Sequence, residues 1–124
     1  MQGVAYSESP NTDMLFITLK KSEADYSPTT MYRDYPISPT LFHWESQSTT
    51  SSASPTGQRY INGTSTVLLF AREEQNNEFG TSPYLFLGPG RHVHHEGERP
   101  IAITWELSYA MPTDFFASAT VAAG

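Results

Sequence analysis

Residues 101–107 read Ile-Ala-Ile-Thr-Trp-Glu-Leu, and this stretch decides the fold class. Large apolar side chains stand at the odd positions, and Ala, Thr and Glu stand at the even ones. A two-residue period of this kind is typical of an antiparallel strand that buries one face. It predicts a half-buried β-strand over 101–108.

Five further short segments indicate strands, because Pro, Gly, Ser and Asn separate them. They are 14–20, 41–47, 66–72, 84–88 and 91–95. Residues 67–71 are apolar on both faces, as in a central strand. Gly88-Pro89-Gly90 predicts a turn between two strands. The tripeptide Ser38-Pro39-Thr40 resembles a helix start, and a last short helix is expected from Thr113 through Ala119. The sequence thus predicts a mainly β fold: a small curved β-barrel of about five to six strands with one or two short helices.

Composition limits the function classes. The chain has 124 residues, so we expect a flexible lead-in over 1–13 and a single domain over 14–124. The net charge of -6 argues against bulk attraction to nucleic acid, so any such role needs a local basic patch. The chain contains no cysteine, which excludes a disulfide, a thiolate nucleophile and a cysteine zinc site. Without a membrane-length apolar run or a basic-then-apolar N-terminus, we expect a cytoplasmic protein that does not bind membranes.

A cluster of aromatic and polar residues between 32 and 47 suggests a pocket for a flat ligand, with rings that stack and polar groups that fix one edge. On a strand, His43 shares a face with Gln47, whereas Trp44 and Ser46 face the other way. Trp44 and Gln47 are therefore not both assigned as ligand contacts from spacing alone. The alternative is that the aromatic side chains are core. The residues proposed to build or support a base pocket are Tyr32, Asp34, Tyr35, His43, Trp44, Ser46 and Gln47.

A second candidate segment follows a flexible Ser/Thr tract at residues 48–55. A turn at 56–59 offers backbone amides, hydroxyls and the guanidinium of Arg59 to a phosphate. The alternative for Arg59 is a solvated loop or a structural salt bridge. The residues assigned to the DNA backbone are Arg33, Ser54, Thr56, Gly57, Arg59 and Tyr60.

Catalytic signatures are weak. His92 and His94 share a strand face and suggest a two-ligand metal arrangement, with His95 or His43 as a third. The alternative is an exposed strand with satisfied histidines, so we assign no metal, no cofactor and no catalytic residue. The sequence has no nucleophile elbow, no P-loop and no dinucleotide fingerprint. We expect a recognition domain and not an enzyme.

Four blocks of sequence carry a family resemblance: TLKKSEADYSPTTMYRDYPISPTLFHWESQS from 18, SPTGQRYI from 54, FGTSPYLFLGP from 79 and HEGERPIAITWEL from 95. Together they resemble the C-terminal domain of large bacterial helicase–nuclease proteins, long catalogued as of unknown function. The SauUSI-type modification-dependent (type IV) restriction enzymes belong there. In these enzymes, a phospholipase-D-type nuclease and a superfamily 2 helicase precede an SRA-like domain that recognises 5-methylcytosine or 5-hydroxymethylcytosine in DNA.

The resemblance implies an SRA/PUA-like barrel that flips a modified cytosine out of duplex DNA, with Asp34 as an acceptor for cytosine N4. Helicase and phospholipase-D-type nuclease domains are then the expected partners, and restriction of modified DNA is the expected role. Two alternatives remain. One is a protein-interaction module that docks a helicase or nuclease through an exposed aromatic patch, and the other is a metal-dependent enzyme centred on the histidines.

Overall fold

The computed structural model describes residues 3–20 and 34–124. This part of the chain contains nine strands and two helices. In chain order they are β1 (Val4–Ser7), β2 (Thr12–Thr18), β3 (Tyr35–Ser38), β4 (Leu41–Glu45), α1 (Pro55–Asn62), β5 (Thr66–Arg72), β6 (Asn76–Asn77), β7 (Gly80–Thr81), β8 (Leu85–Glu96), β9 (Ala102–Leu107) and α2 (Thr113–Ala122). The mainly β class with two short helices is confirmed.

Seven strands form one sheet in the order β1-β2-β5-β8-β9-β4-β3, and β6 pairs with β7 alone. Neighbours in the large sheet are antiparallel, except that β2 runs parallel to β5. The prediction of a small curved β-barrel of about five to six strands is wrong in both shape and strand count. Closure requires the two outermost strands to pair with each other, and β1 and β3 remain edge strands in the described residues.

One face of the sheet carries the core. Buried and half-buried residues alternate along β2, β4, β5 and β9, and this alternation confirms the period seen at 101–107. Helix α1 covers part of this face through Tyr60, whose ring meets the rings of Trp44 and Trp105 edge-on at centroid distances of 5.4 and 6.0 Å. The side chains buried here include Leu15, Phe42, Leu69 and Ile103, together with Trp44, Trp105 and Tyr60.

The prediction of a turn at Gly88-Pro89-Gly90 is wrong, because these three residues lie within strand β8. Gly90 pairs with Val67 and Gly88 with Leu69, and the register shifts just beyond this point. A Cβ at position 90 would lie 2.7 Å from Leu69 Cδ1 and 3.4 Å from Trp105 Cβ. Gly90 therefore permits close packing within a strand and does not reverse the chain.

Two short segments also differ from expectation. The lead-in over 1–13 contains β1 and the start of β2, which pair with each other. The Ser-Pro-Thr tripeptide at 38–40 is not a helix start: Ser38 ends β3 and Leu41 begins β4. The expected helix near the C-terminus is confirmed as α2. No helix within the described residues is long and apolar enough to cross a membrane.

Candidate ligand pocket

A cavity of about 260 Å³ lies between the N-terminal strands β1 and β2, the loop after β4, and helix α1. The sheet brings these elements together because β2 pairs with β5, the strand that follows α1. The lining mixes two aromatic rings with hydroxyl, amide and ionic groups. The lining residues are Val4, Ala5, Tyr6, Asp13, Gln47, Thr49, Thr50, Ser54, Thr56, Arg59 and Tyr60.

A buried ion pair forms one wall of this cavity. Arg59 Nε and Nη2 donate to the two carboxylate oxygens of Asp13 at 2.9 and 3.0 Å. Ser65 Oγ donates to the same carboxylate, whose side chain is only 3% exposed. The hydrogen bond to Asp13 raises the pKa of Arg59 further above its ordinary value. Since the two charges offset each other, the wall is polar but close to neutral.

Tyr6 stands at the rim of the cavity and lies on that ion pair. The guanidinium carbon of Arg59 is 3.6 Å from the centre of the Tyr6 ring, a cation–π contact. The phenol oxygen donates to Asn11 Oδ1 at 2.6 Å, and Asn11 Nδ2 donates to the carbonyl of Thr64 at 2.6 Å. The ring is therefore fixed both at its tip and on one face.

Tyr60 forms the inner end of the cavity and belongs to the core. It is 2% exposed, and burial is the main cause that raises the pKa of its phenol well above the ordinary value. The phenol is therefore neutral at physiological pH and offers a hydroxyl instead of a charge.

The loop after β4 is held against α1 and the segment before β9. Glu98 accepts hydrogen bonds from the backbone N–H of Ser52 at 2.7 Å and from its hydroxyl. Gln58 of α1 donates to the Ser52 carbonyl, and the Arg99 N–H donates to the Thr50 carbonyl at 3.1 Å. The bonds from Ser52 lower the pKa of Glu98. The Ser/Thr tract expected to be flexible thus makes specific contacts with its neighbours.

Residues 1–119 match the family model described as a domain of unknown function, DUF3427. The chain belongs to the DUF3427 family. It matches no curated protein sequence and no solved structure.

The predicted base-pocket residues of this DUF3427 chain are spread over both faces of the sheet. The rings of Tyr35 and His43 stack at 4.5 Å on the face opposite the core. Trp44 is 4% exposed and packs within the core, so neither face of its indole is open to a ligand. The expected alternation between His43 and Trp44 is confirmed.

The other members of that set have structural contacts or lie elsewhere. Asp34 is buried and accepts from the Glu45 N–H at 3.0 Å, which ties β4 to the residue before β3. Ser46 accepts from the Ile101 N–H at 2.9 Å. Of the described members of this set, Gln47 alone is among the cavity-lining residues. Tyr32 and Arg33 lie outside the described residues.

More of the residues assigned to the DNA backbone than of those assigned to the base pocket lie at the cavity. The lining residues Ser54, Thr56, Arg59 and Tyr60 were all assigned to the DNA backbone. They lie at the start or on one side of α1, so the prediction of a turn at 56–59 is wrong: these residues are helical. Ser54 caps the helix by accepting from the Gly57 N–H at 3.1 Å, and Pro55 occupies the first helical position. The Gly57 N–H is thereby used within the helix.

Gly57 has a packing role. A Cβ at this position would lie 2.0 Å from the carbonyl oxygen of Ser51, so α1 can approach the preceding loop only with glycine here. The sequence alone gives no sign of that contact, because the loop and helix meet only after folding.

Two residues that line the cavity, Tyr6 and Asp13, were not predicted from the sequence. Both lie in the segment expected to be a loose lead-in. One signal for Asp13 is present: it precedes Leu15 and Ile17 in the two-residue period of β2, so an acidic group falls on the buried face. A buried carboxylate requires a cationic or hydrogen-bonding partner, and Arg59 is that partner.

The histidine cluster lies on β8, away from the lining residues. His92 Nε2 is 2.7 Å from His95 Nδ1, while His94 points to the opposite face across a register shift. Burial, followed by the charge of His95, lowers the pKa of His92. Within residues 3–20 and 34–124, no group of three or more His, Cys, Asp or Glu side chains is placed to hold a metal ion.

Proposed function

We propose that the chain is a non-catalytic reader of modified cytosine, 5-methylcytosine or 5-hydroxymethylcytosine, in duplex DNA. An extruded base would enter the cavity between β1, β2 and α1. The observation that carries the proposal is this cavity, in which an aromatic rim, a neutralised guanidinium and several hydroxyl groups meet. The resemblance to SauUSI-type restriction enzymes supports the choice of ligand.

The size and charge of the cavity suit a nucleobase. Pockets for drug-sized ligands are about 300–1,000 Å³, and this cavity, at about 260 Å³, fits a smaller flat molecule. Because Asp13 already neutralises Arg59, the site favours an uncharged ring over a phosphate. Thr56 and Gln47 border the cavity and can hydrogen-bond to a base edge.

Energetics then limit how selective such a reader can be. Unstacking a base costs a few kcal/mol, and stacking on an aromatic side chain returns about 1–3 kcal/mol of it. Burial of one methyl group adds about 0.8 kcal/mol, or roughly fourfold in affinity. We therefore expect a modest preference for 5-methylcytosine over cytosine from the methyl group alone.

Electrostatics predict few phosphate contacts. The chain is acidic overall, and of its arginines Arg59 is paired with Asp13 and Arg91 with Glu106. A slope of about -0.9Z in log affinity against log salt, where Z is the number of phosphates neutralised, should therefore correspond to a small Z. Strand cleavage would belong to the helicase and phospholipase-D-type nuclease domains that the resemblance implies, within a bacterial defence system.

Fluorescence anisotropy tests the proposal with matched duplexes that carry cytosine, 5-methylcytosine or 5-hydroxymethylcytosine, over a salt series. The variant Thr56→Phe fills the cavity from α1, and Asn62→Phe adds the same ring at an exposed position of the same helix. We expect tighter binding to a modified duplex, a loss of about tenfold or more for Thr56→Phe, and little change for Asn62→Phe. Equal binding of all three duplexes by the wild-type protein would contradict the proposal.

The second candidate function is a protein-docking module, and the aromatic stripe on the outer face of the sheet favours it. Phe16, Phe70 and Phe86 lie side by side on β2, β5 and β8, with ring centres 5.0 Å apart in each neighbouring pair. Phe86 is 55% exposed. Contiguous exposed apolar surface is typical of a protein-binding site.

A helicase or nuclease domain is the partner that this second function implies. The variant Phe86→Ser should weaken binding to such a purified domain while DNA binding stays unchanged. The interaction should depend little on salt, because an apolar contact neutralises no phosphates. A partner that binds wild type and Phe86→Ser equally well would exclude the stripe as the docking surface.

A further inference from the structure

Tyr6 differs from the other aromatic residue that lines the cavity. Tyr60 is 2% exposed and is enclosed by the core, whereas Tyr6 is 44% exposed. The guanidinium of Arg59 covers one face of the Tyr6 ring at 3.6 Å. The exposed surface of the ring therefore belongs to its edge and its other face.

The position of that ring is fixed before any ligand arrives. The phenol oxygen is bonded to Asn11, and Asn11 is bonded to the backbone at Thr64, just before β5. Arg59 is held from beneath by both carboxylate oxygens of Asp13. A ring held at its tip and on its back loses little conformational freedom when a ligand stacks on it, which favours binding.

The chemistry around the ring selects a class of ligand. Because the charges of Arg59 and Asp13 offset each other, a cation and an anion would each lose hydration in the cavity without a net opposite charge to compensate for it. An uncharged planar ring avoids both penalties and gains the stacking interaction. The hydroxyl groups of Thr49 and Thr56, which also line the cavity, can hydrogen-bond to its polar edge.

We infer that Tyr6 is the stacking platform for the extruded base, with Arg59 and Asp13 as its positioning residues. This inference rests on the proposed function, and it assigns the stacking role to β1 instead of to the 32–47 segment. Tyr6 contributes its ring face, and its hydroxyl serves to hold the ring in place.

Two substitutions of Tyr6 separate the ring from the hydroxyl. Tyr6→Phe keeps the ring, so we expect affinity for the modified duplex to stay within about threefold of wild type. Tyr6→Leu removes the ring, and loss of one base–aromatic stack should weaken binding by about 5- to 150-fold. Tyr109→Leu is the matched control, since Tyr109 is 70% exposed and is not among the cavity-lining residues. Thermal melting of each variant shows whether the fold is retained.

A second measurement uses the wild-type protein and so does not depend on how a variant folds. With ¹³C-labelled tyrosine, a base stacked on Tyr6 should shift its ring resonances upfield when the modified duplex is added, through the ring current of the base. The Tyr109 resonances should not move. Absence of that shift in a complex that does form, or wild-type affinity in Tyr6→Leu, would overturn the role of Tyr6 while the proposed function stands. Failure of the wild-type protein to bind any of the three duplexes would overturn both.

Discussion

The ion pair between Arg59 and Asp13 gives the sharpest stability prediction. The variant Arg59→Met keeps much of the side-chain volume but removes both hydrogen bonds to a carboxylate that is 3% exposed. The hydroxyl of Ser65 then remains as a side-chain donor to this carboxylate. Removing one partner of a buried pair costs about 3–5 kcal/mol, because the other charge is left uncompensated. We expect a loss of this size in the free energy of unfolding at pH 7.

Replacing the other partner of the ion pair, Asp13, should lower the free energy of unfolding by a smaller amount. The Arg59 side chain is 19% exposed, so in Asp13→Asn the guanidinium can turn part of its surface to water. The expected cost is about 1–3 kcal/mol, the range for a lost charge-assisted hydrogen bond. In the double variant no isolated charge is buried, so its cost should fall clearly below the sum of the two single costs.

Urea denaturation of the wild-type protein, the two single variants and the double variant at pH 7 measures these differences. Asp13→Asn being the more damaging single change, or two single costs that simply add in the double variant, would refute the assigned roles of Arg59 and Asp13.

Three further predictions concern the surroundings of the cavity and the histidine pair. The NMR chemical shift of the Ser52 backbone amide should follow the titration of Glu98, which accepts its hydrogen bond. The midpoint should lie below the ordinary glutamate pKa, because the lowered pKa of Glu98 keeps the carboxylate charged to more acidic pH. Gly57→Ala should destabilise the fold by about 1–3 kcal/mol in urea denaturation, because its Cβ would meet the backbone of the preceding loop. The melting temperature should fall as the pH drops through the ordinary histidine pKa, because the lowered pKa of folded His92 means that the unfolded state takes up the proton first. His92→Gln should make the melting temperature depend less on pH in this range.

Matched variants control each of these measurements. Glu96→Gln alters a neighbouring exposed carboxylate and should leave the Ser52 titration unchanged. Asn62→Ala lies on the same helix as Gly57, is exposed, and should change stability far less. His94→Gln removes an exposed imidazole from the opposite face of β8 and should preserve the pH dependence of melting. A Ser52 titration that changes in Glu96→Gln would contradict the role of Glu98. A pH dependence of melting that is lost in His94→Gln but kept in His92→Gln would contradict the role of His92.

The strands were predictable where side-chain alternation was strong. The segments that became β5 and β9 lie within a residue or two of the expected bounds, because burial of one sheet face requires a two-residue period. The tripeptide Ser-Pro-Thr shows where local reasoning fails. It occurs at 27–29, 38–40 and 54–56, and of the two copies within the described residues only the one at 54–56 starts a helix. After the copy at 38–40, the alternating run from Leu41 pairs with β9, and this tertiary pairing outweighs the local capping signal.

The candidate site was predictable in its chemistry but not in its assembly. Thr56, Arg59 and Gln47 were expected to contact DNA, and all three line the cavity. Asp13 and Tyr6 complete it from a segment 34 to 53 positions earlier in the chain, and no local pattern links such distant residues. The aromatic cluster at 32–47 was divided between the two faces of the sheet, since neighbouring residues on a strand point in opposite directions.

The parallel pairing of β2 with β5 also has a consequence for how the chain is made. Thr18 and Arg72, which pair at one end of these strands, are 54 positions apart. At about 5–20 residues per second, a ribosome needs roughly 3–11 seconds to deliver β5 after β2. During that interval the β1–β2 hairpin has an unpaired edge and no completed core beside it. Non-local pairing of this kind slows folding and prolongs exposure to aggregation. The cavity between β1, β2 and α1 can therefore form fully only after β5 has been synthesised and has paired with β2.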